Sequence, residues 1–243
     1  MFSYVQIYTF FGILVNQDNM NKRYAVIVAG GSGTRMKSLL PKQFLELCGQ
    51  PVIMHTIERF HNFDKNLNII LVLPSDQFNL WKNLCLHHLF SLKHTIVAGG
   101  NTRYQSVKNG LQMISGSGVV AIHDGVRPLV SNETLLRCFN TALETGNAIP
   151  VIPIHETVRQ INADKSKSID RNSLKIVQTP QVFSVDLIKK AYNSPCIESF
   201  TDDASVAETM GIHINMVDGN RENIKITEPS DLLIAELLLR NIH

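Results

Sequence analysis

Short, continuously apolar runs rich in β-branched residues recur along the first half of the chain, and each stops abruptly at a turn. Val26-Ile27-Val28 stops at Ala29-Gly30-Gly31-Ser32-Gly33, Asn68–Leu73 at Pro74, and His94–Ala98 at Gly99-Gly100-Asn101-Thr102-Arg103. Val119–His123 stops at Asp124-Gly125-Val126-Arg127-Pro128. A strand that is apolar on both faces must be covered on both faces, the condition of a parallel sheet between helix layers. Helix-spaced segments lie between the runs. Pro51 reads as a first helical residue ahead of Val52, Ile53, Ile57 and Phe60; Asp76–Leu86 forms a second helix, and Ser106, Val107, Gly110, Leu111 and Ile114 belong to a third. Ser131 caps a fourth that runs to Thr145, with Leu135, Leu136, Phe139, Ala142 and Leu143 inward and Gly146 as its C′ residue. The expected fold class is α/β, a doubly wound, mainly parallel sheet of Rossmann-like type.

The rhythm breaks between Ile149 and Gln181. Val158-Arg159-Gln160-Ile161, a polar turn over 162–168 and Ile169–Leu174 read as a two-stranded arm, at about 153–174, with little core of its own. An isolated hairpin is marginal in water, so a protruding arm predicts a partner, and a homodimer is the expectation. Beyond it, Lys175–Gln178 resumes the pattern. Thr201-Asp202-Asp203 opens a helix through Met210 that Gly211 ends. His213–Val217 and Asn223–Thr227 read as late strands, and Pro229 starts a final helix with Leu232, Leu233, Leu237 and Leu238 inward.

With 243 residues, 44% hydrophobic and 18% charged, the chain can bury a sizeable core, and nothing divides residues 20–243 into two domains. The apolar stretch Phe2–Val15 is too short to span a bilayer and lacks a basic flank, so residues 1–19 are expected to be a dispensable extension ahead of Met20. A net charge of +2 without a Lys/Arg block argues against a nucleic-acid platform. Cys48, Cys85, Cys138 and Cys196 have no ligand-like spacing and suit a reducing cytoplasm. The cationic chemistry is therefore local.

Its first location is the turn after Val28. Glycines let a ligand approach the main chain, and successive N–H groups form a concavity for phosphate oxygens. A dinucleotide fingerprint would place glycine or alanine where Met36 stands, and a Walker A loop would place glycine directly before Lys37, so both fail. The remaining pattern, GGxGxRM followed by Pro41-Lys42-Gln43, resembles the signature loop of nucleoside-triphosphate sugar nucleotidyltransferases. Glycine-rich turns also join strands to helices without any ligand; the placed cations Arg35 and Lys42 favour a phosphate. Asp124, at a strand's carboxyl end, suits Mg²⁺, which takes one or two carboxylates beside phosphate oxygens and water. His123 reads as a satisfied core residue.

From about Arg23 onward, AGGSGTRM, PKQ, GGNTRYQSV, HDGVRP, DRNSL, QTPQVF, TDDASVAE and NIKITEPSDL together resemble the 2-C-methyl-D-erythritol 4-phosphate cytidylyltransferase family. The resemblance implies transfer of CMP from CTP to a polyol phosphate, with a divalent cation such as Mg²⁺. It implies that Arg35 and Lys42 stabilise charge around the α-phosphate, and that Ala29, Gly30, Gly31 and Gly33 cradle the triphosphate. Gly100, Asn101 and Ser106 would hold cytosine and ribose, with Asp124 on the nucleotide side as the metal ligand. Lys225, Arg127, Thr157 and Arg171 would bind the acceptor, the last two from a neighbouring subunit's arm. Gly125-Val126 departs from the family's usual pair of alanines and is also seen in ribitol-5-phosphate cytidylyltransferases. That leaves a different pentitol phosphate, or a binding protein without catalysis, as alternatives.

Overall fold

The computed structural model describes residues 22–31, 40–194 and 200–241. Its strands are β1 (Arg23–Val28), β2 (Glu46–Leu47), β3 (Gln50–Pro51), β4 (Asn68–Leu73), β5 (Thr95–Ala98), β6 (Val119–Asp124), β7 (Asn147–Pro153), β8 (Val158–Asn162), β9 (Lys165–Ile169), β10 (Lys175–Val177), β11 (Gln181–Ser184) and β12 (Met216–Asp218). The α-helices are α1 (Val52–Phe63), α2 (Phe78–His87), α3 (Arg103–Gln112), α4 (Asn132–Thr145), α5 (Val185–Tyr192), α6 (Asp203–Glu208) and α7 (Pro229–Asn241). None of the described helices is long and apolar enough to cross a membrane.

The main sheet runs β10-β7-β11-β6-β1-β4-β5, with β12 also paired to β7. The four strands expected from the apolar runs, β6, β1, β4 and β5, are mutually parallel. β11 then pairs antiparallel with β6 and β7, and β10 antiparallel with β7, so the second half of the sheet is mixed. Alternation along β1 explains the two helix layers. Ala25 and Ile27 pack into one core with Ile53, Phe60, Trp81 and Phe139, whereas Tyr24 and Val26 pack into the other with Val107, Phe183 and Ile188. A third cluster beneath α7 joins Leu47, Val52, Val126, Leu129, Ile226 and Ala235.

Several local expectations need correction. The arm is a hairpin of β8 and β9 in which only Ala163 and Asp164 lie between the paired ends, and Ala163 sits at φ 50°. Its second strand is Lys165–Ile169, where a polar turn was expected, because Lys165-Ser166-Lys167-Ser168 is exposed and carries no apolar alternation. The run after Ile169 is a short 3-10 turn, Arg171–Ser173, capped by Asp170. The late strand starts at Met216, and Asn223–Thr227 forms no strand at all. In α7 the buried residues are Ala235 and Leu239, while Leu233 and Leu237 are exposed; Leu136 of α4 is likewise exposed. Leu232 and Leu238 do pack against the third cluster as expected, but leucines on adjacent positions blur the phase, so spacing alone put Leu233 and Leu237 inward as well. Pro51 precedes α1 instead of opening it. Gly146 does end α4 in the left-handed region, at φ 91°. Residues 1–19 lie outside the described residues.

The departure at Gly125 has a packing cause. A Cβ there would stand 2.6 Å from Ile53 Cδ1 and 2.9 Å from Ala29 Cβ, closer than carbon atoms approach. The Gly125 carbonyl also accepts a 3.0 Å bond from the Thr56 hydroxyl, which fixes the turn against α1. Gly125→Ala should therefore cost about 1–3 kcal/mol through overpacking, and Ile53→Val in the same chain should return most of it. Thermal unfolding of the single and double variants checks this.

Candidate active site

Backbone bonds bring three turns to one edge of the sheet. Ala29 N–H donates to the Val72 carbonyl (2.9 Å), Gly99 N–H to Leu73 (2.8 Å) and Gly125 N–H to Val28 (2.8 Å), each extending the pairing just past a strand's end. The turns after β1, β5 and β6 thus share one crevice, where open α/β sheets take ligands. Its walls include Ala29, Gly30, Gly31, Lys42, Gly100, Asn101, Ser106, Asp124 and Lys225. These expected residues converge. Gly33 and Arg35 lie outside the described residues.

Each wall is braced locally. Pro41 precedes a 3-10 turn that presents Lys42 beside Gly31, and buried Gln43 donates from Nε2 to the Ala29 carbonyl at 2.8 Å. Ser106 accepts from Gly100 N–H at 3.1 Å and donates to the Thr102 carbonyl at 2.9 Å, while Thr102 caps α3. The Gly100 turn and the start of α3 are therefore one unit.

Asp124 is the electrostatic centre. Lys225 Nζ lies 2.9 Å and Arg127 Nε 3.4 Å from Oδ2, and Arg103 Nε lies 3.7 Å from Oδ1. Burial alone would raise the Asp124 pKa, but the charges of Arg103, Lys225 and Arg127 outweigh it and hold the carboxyl well below the usual range. Arg103 is itself clamped by the fully buried Asp203, through bonds of 2.8 and 2.7 Å, and the Tyr192 hydroxyl donates to the same carboxylate at 2.6 Å. Burial would lower the Arg103 pKa, yet the Asp203 carboxylate reverses this and raises it. Arg103, Arg127 and Lys225 surround Asp124, with Asp203 behind Arg103, and Lys42 lines the same crevice while also acting on Asp231, so the crevice keeps a positive balance suited to a polyanion.

Lys225 stands on an anchored loop, not in the apolar strand that was expected. Asn223 donates to the Thr179 carbonyl at 2.8 Å, and Ile226 N–H to the Val126 carbonyl at 2.9 Å, so both neighbours of Ile224-Lys225 are tied down. The lysine side chain remains 41% exposed, so no desolvation forces its pairing; the loop aims it. Arg127 is turned behind Asp124: its side chain is 13% exposed and Nη1 donates to the Asn223 carbonyl at 2.8 Å. It braces the site and does not line it. Thr157 and Arg171 sit on the exposed arm away from the crevice walls, with Arg171 bonded to the His155 carbonyl.

Arg103, Asp203 and Gln43 were not singled out by sequence reasoning, although all three fall within the quoted motifs. An arginine in a turn and an aspartate opening a helix each have a local explanation. Only the fold reveals that residues 100 positions apart form a buried pair.

Fold and crevice together define an α/β nucleotidyltransferase-type protein, built around glycine-containing turns at the carboxyl ends of parallel strands. The model of the 2-C-methyl-D-erythritol 4-phosphate cytidylyltransferase family matches residues 24–241, and the chain belongs to that family. It is 55% identical over 217 residues to the enzyme so named from Bacteroides fragilis, covering 89% of this chain and 99% of the relative. It is 50% identical over 218 residues to that from Bacteroides thetaiotaomicron, covering 90% and 100%. The solved 4-diphosphocytidyl-2C-methyl-D-erythritol synthase of Anaerococcus prevotii superposes with a TM-score of 0.77 at 29% identity, covering 90% of this chain and 96% of that one.

The buried pair gives a direct test. Asp203→Asn removes one partner of a buried ion pair and should cost about 3 kcal/mol, near the low end for such pairs because the Arg103 side chain keeps 31% exposure. Denaturant unfolding of the variant checks it.

Proposed function

We propose that this protein transfers CMP from CTP to 2-C-methyl-D-erythritol 4-phosphate, releasing pyrophosphate and 4-diphosphocytidyl-2-C-methyl-D-erythritol for non-mevalonate isoprenoid synthesis. The carrying observation is the surplus of cations around Asp124 at the mouth of the glycine turns. An oxygen of the acceptor phosphate forms a bond to the α-phosphorus of CTP. The bond from that phosphorus to the α–β bridging oxygen breaks, and its electron pair leaves on pyrophosphate. The attacking phosphate is already ionised, so no general base is required, and positioning with charge neutralisation carries the rate.

The triphosphate occupies the turn Ala29-Gly30-Gly31 with Gly33, where Lys42 and Arg35 stabilise charge on the α-phosphate and the departing pyrophosphate. Gly100, Asn101 and Ser106 take the cytosine and ribose end. Lys225 holds the acceptor phosphate beside the α-phosphorus, and Arg103 adds charge between the two. A divalent cation fits the donor set. Lys225 and Arg127 crowd Asp124 Oδ2, whereas among the described residues Oδ1 has only Arg103, at 3.7 Å, and Asp124 lines the crevice. Among the described residues no group of three or more His, Cys, Asp or Glu forms a protein cage, so Asp124 with triphosphate oxygens would hold Mg²⁺. When bound, the cation neutralises triphosphate charge.

The exposed arm carries Arg171 and Thr157 to the acceptor end of a second subunit's crevice in a homodimer working in the cytoplasm. The close packing of Gly125 on Ile53 supplies a reason for glycine that is independent of the acceptor, so this departure does not favour ribitol phosphate.

Pyrophosphate release from CTP, with each polyol phosphate offered separately, tests the reading. Turnover with methylerythritol phosphate is expected, and turnover with ribitol phosphate alone would overturn it. Lys42→Ala should lower kcat roughly a hundredfold or more, as loss of a positioned transition-state donor does; a near-normal rate removes Lys42 from the chemistry. Arg171→Ala should raise KM for the polyol phosphate more than KM for CTP in steady-state kinetics.

A further inference from the structure

His123, the last apolar-run residue before Asp124, is fully buried, and its ring meets Phe60 edge-on at 5.0 Å. The reaction leaves it without a chemical task. Its two nitrogens nevertheless have separate partners in the site. Nε2 lies 3.0 Å from the Arg127 carbonyl, and Nδ1 lies 3.1 Å from Thr179 Oγ1. Thr179 Oγ1 also receives the Asp124 N–H at 3.1 Å.

The chemistry of the partners fixes every proton. A carbonyl can only accept, so Nε2 carries the hydrogen. A neutral imidazole has one N–H, which makes Nδ1 an acceptor and the Thr179 hydroxyl its donor. The hydroxyl's lone pairs then take the Asp124 amide. The chain of bonds runs from Asp124 N–H to Thr179, from Thr179 O–H to His123 Nδ1, and from His123 Nε2–H to the Arg127 carbonyl. Both ends fall on the same turn, Asp124–Arg127, which also closes on itself by Arg127 N–H donating to the Asp124 carbonyl at 3.1 Å.

We propose that His123, locked as its Nε2–H tautomer, is a positioning residue that sets the Asp124–Arg127 turn from beneath and thereby aims the Asp124 carboxylate at Lys225. The inference rests on the function proposed above. Removing the ring frees the Arg127 carbonyl and the Thr179 hydroxyl together, so the far end of the turn loses its tie to Thr179 while Asp124 N–H keeps its own. The effect falls on the Asp124 carboxylate, and through it on both Lys225 and the metal-bound triphosphate. The nucleotide walls at Ala29–Gly31 and Gly100–Ser106 are braced by Gln43, Thr102 and their own hydrogen bonds, independently of this chain.

Two measurements test it on the full-length protein. Nitrogen-15 spectra of histidine-labelled wild type and His123→Gln at neutral pH should differ by one ring, and that ring should be protonated at Nε2 and bare at Nδ1. If the ring lost in His123→Gln is protonated at Nδ1, or at both nitrogens, the relay is overturned. This reading needs no turnover, so it stands apart from failure of the proposed activity, which the wild-type assay reports. In kinetics, His123→Phe keeps the ring's shape and removes both bonds. Its kcat/KM for the polyol phosphate should fall about tenfold or more, because the carboxylate it positions serves both substrates. His123→Asn, which keeps an acceptor near Nδ1, and His123→Gln, which keeps a donor near Nε2, should each recover part of the loss. Wild-type kinetics in His123→Phe, or a loss that neither Asn nor Gln recovers, overturns the proposal. If His123→Phe does not fold, the Asn and Gln variants and the wild-type spectrum decide.

Discussion

One carboxylate organises the crevice. Asp124 sits where β6 ends and gathers Lys225 from the C-terminal loop, Arg127 from its own turn and Arg103 from α3. Segments more than 100 residues apart in sequence are drawn to a single anion. Such an arrangement is stable only because the cations are themselves held: Arg103 by Asp203, Arg127 by the Asn223 carbonyl, and Lys225 by the anchored residues on either side. Removal of the carboxylate would leave three positive groups facing one another in a partly buried space, at a cost of several kcal/mol. The fold therefore tolerates a charge-dense site because each charge is paired before substrate arrives.

The parallel half of the sheet was readable because its strands are apolar on both faces and end in glycine or aspartate turns, so the pattern states both burial and polarity. The same signal located Ala29–Gly31, Gly100, Asn101 and Asp124 on one edge. Elsewhere the cues fail for physical reasons. β9 is exposed on both faces and has no alternation to read, α7 carries leucines on more than one face, and the segment holding Lys225 is fixed by one side-chain bond to the Thr179 carbonyl and one backbone bond to the Val126 carbonyl, not by a ladder. Arg103 and Asp203 are invisible in sequence as a pair, since each has an ordinary local role and their contact depends on α3 and α6 both packing on α5.

The two groups of residues proposed for the nucleotide and the acceptor are built differently. The glycine turns are stitched to the parallel strands by backbone bonds and inherit their rigidity. Lys225 rides on a loop, and Thr157 and Arg171 flank an exposed hairpin with hardly any core. Under the proposed assignment, the nucleotide would be held by the sheet and the acceptor by segments that can vary without disturbing it.

The surplus of positive charge in the crevice also acts beyond contact range. The whole chain carries a net charge of only +2, so attraction of an anion to this concavity depends on its local cations and not on the charge of the chain as a whole. Low-dielectric walls concentrate their field. A triphosphate is then guided to the crevice in preference to the rest of the surface, and salt at physiological strength, which shortens the reach of charge to about 8 Å, weakens that guidance before it weakens any bond in the site.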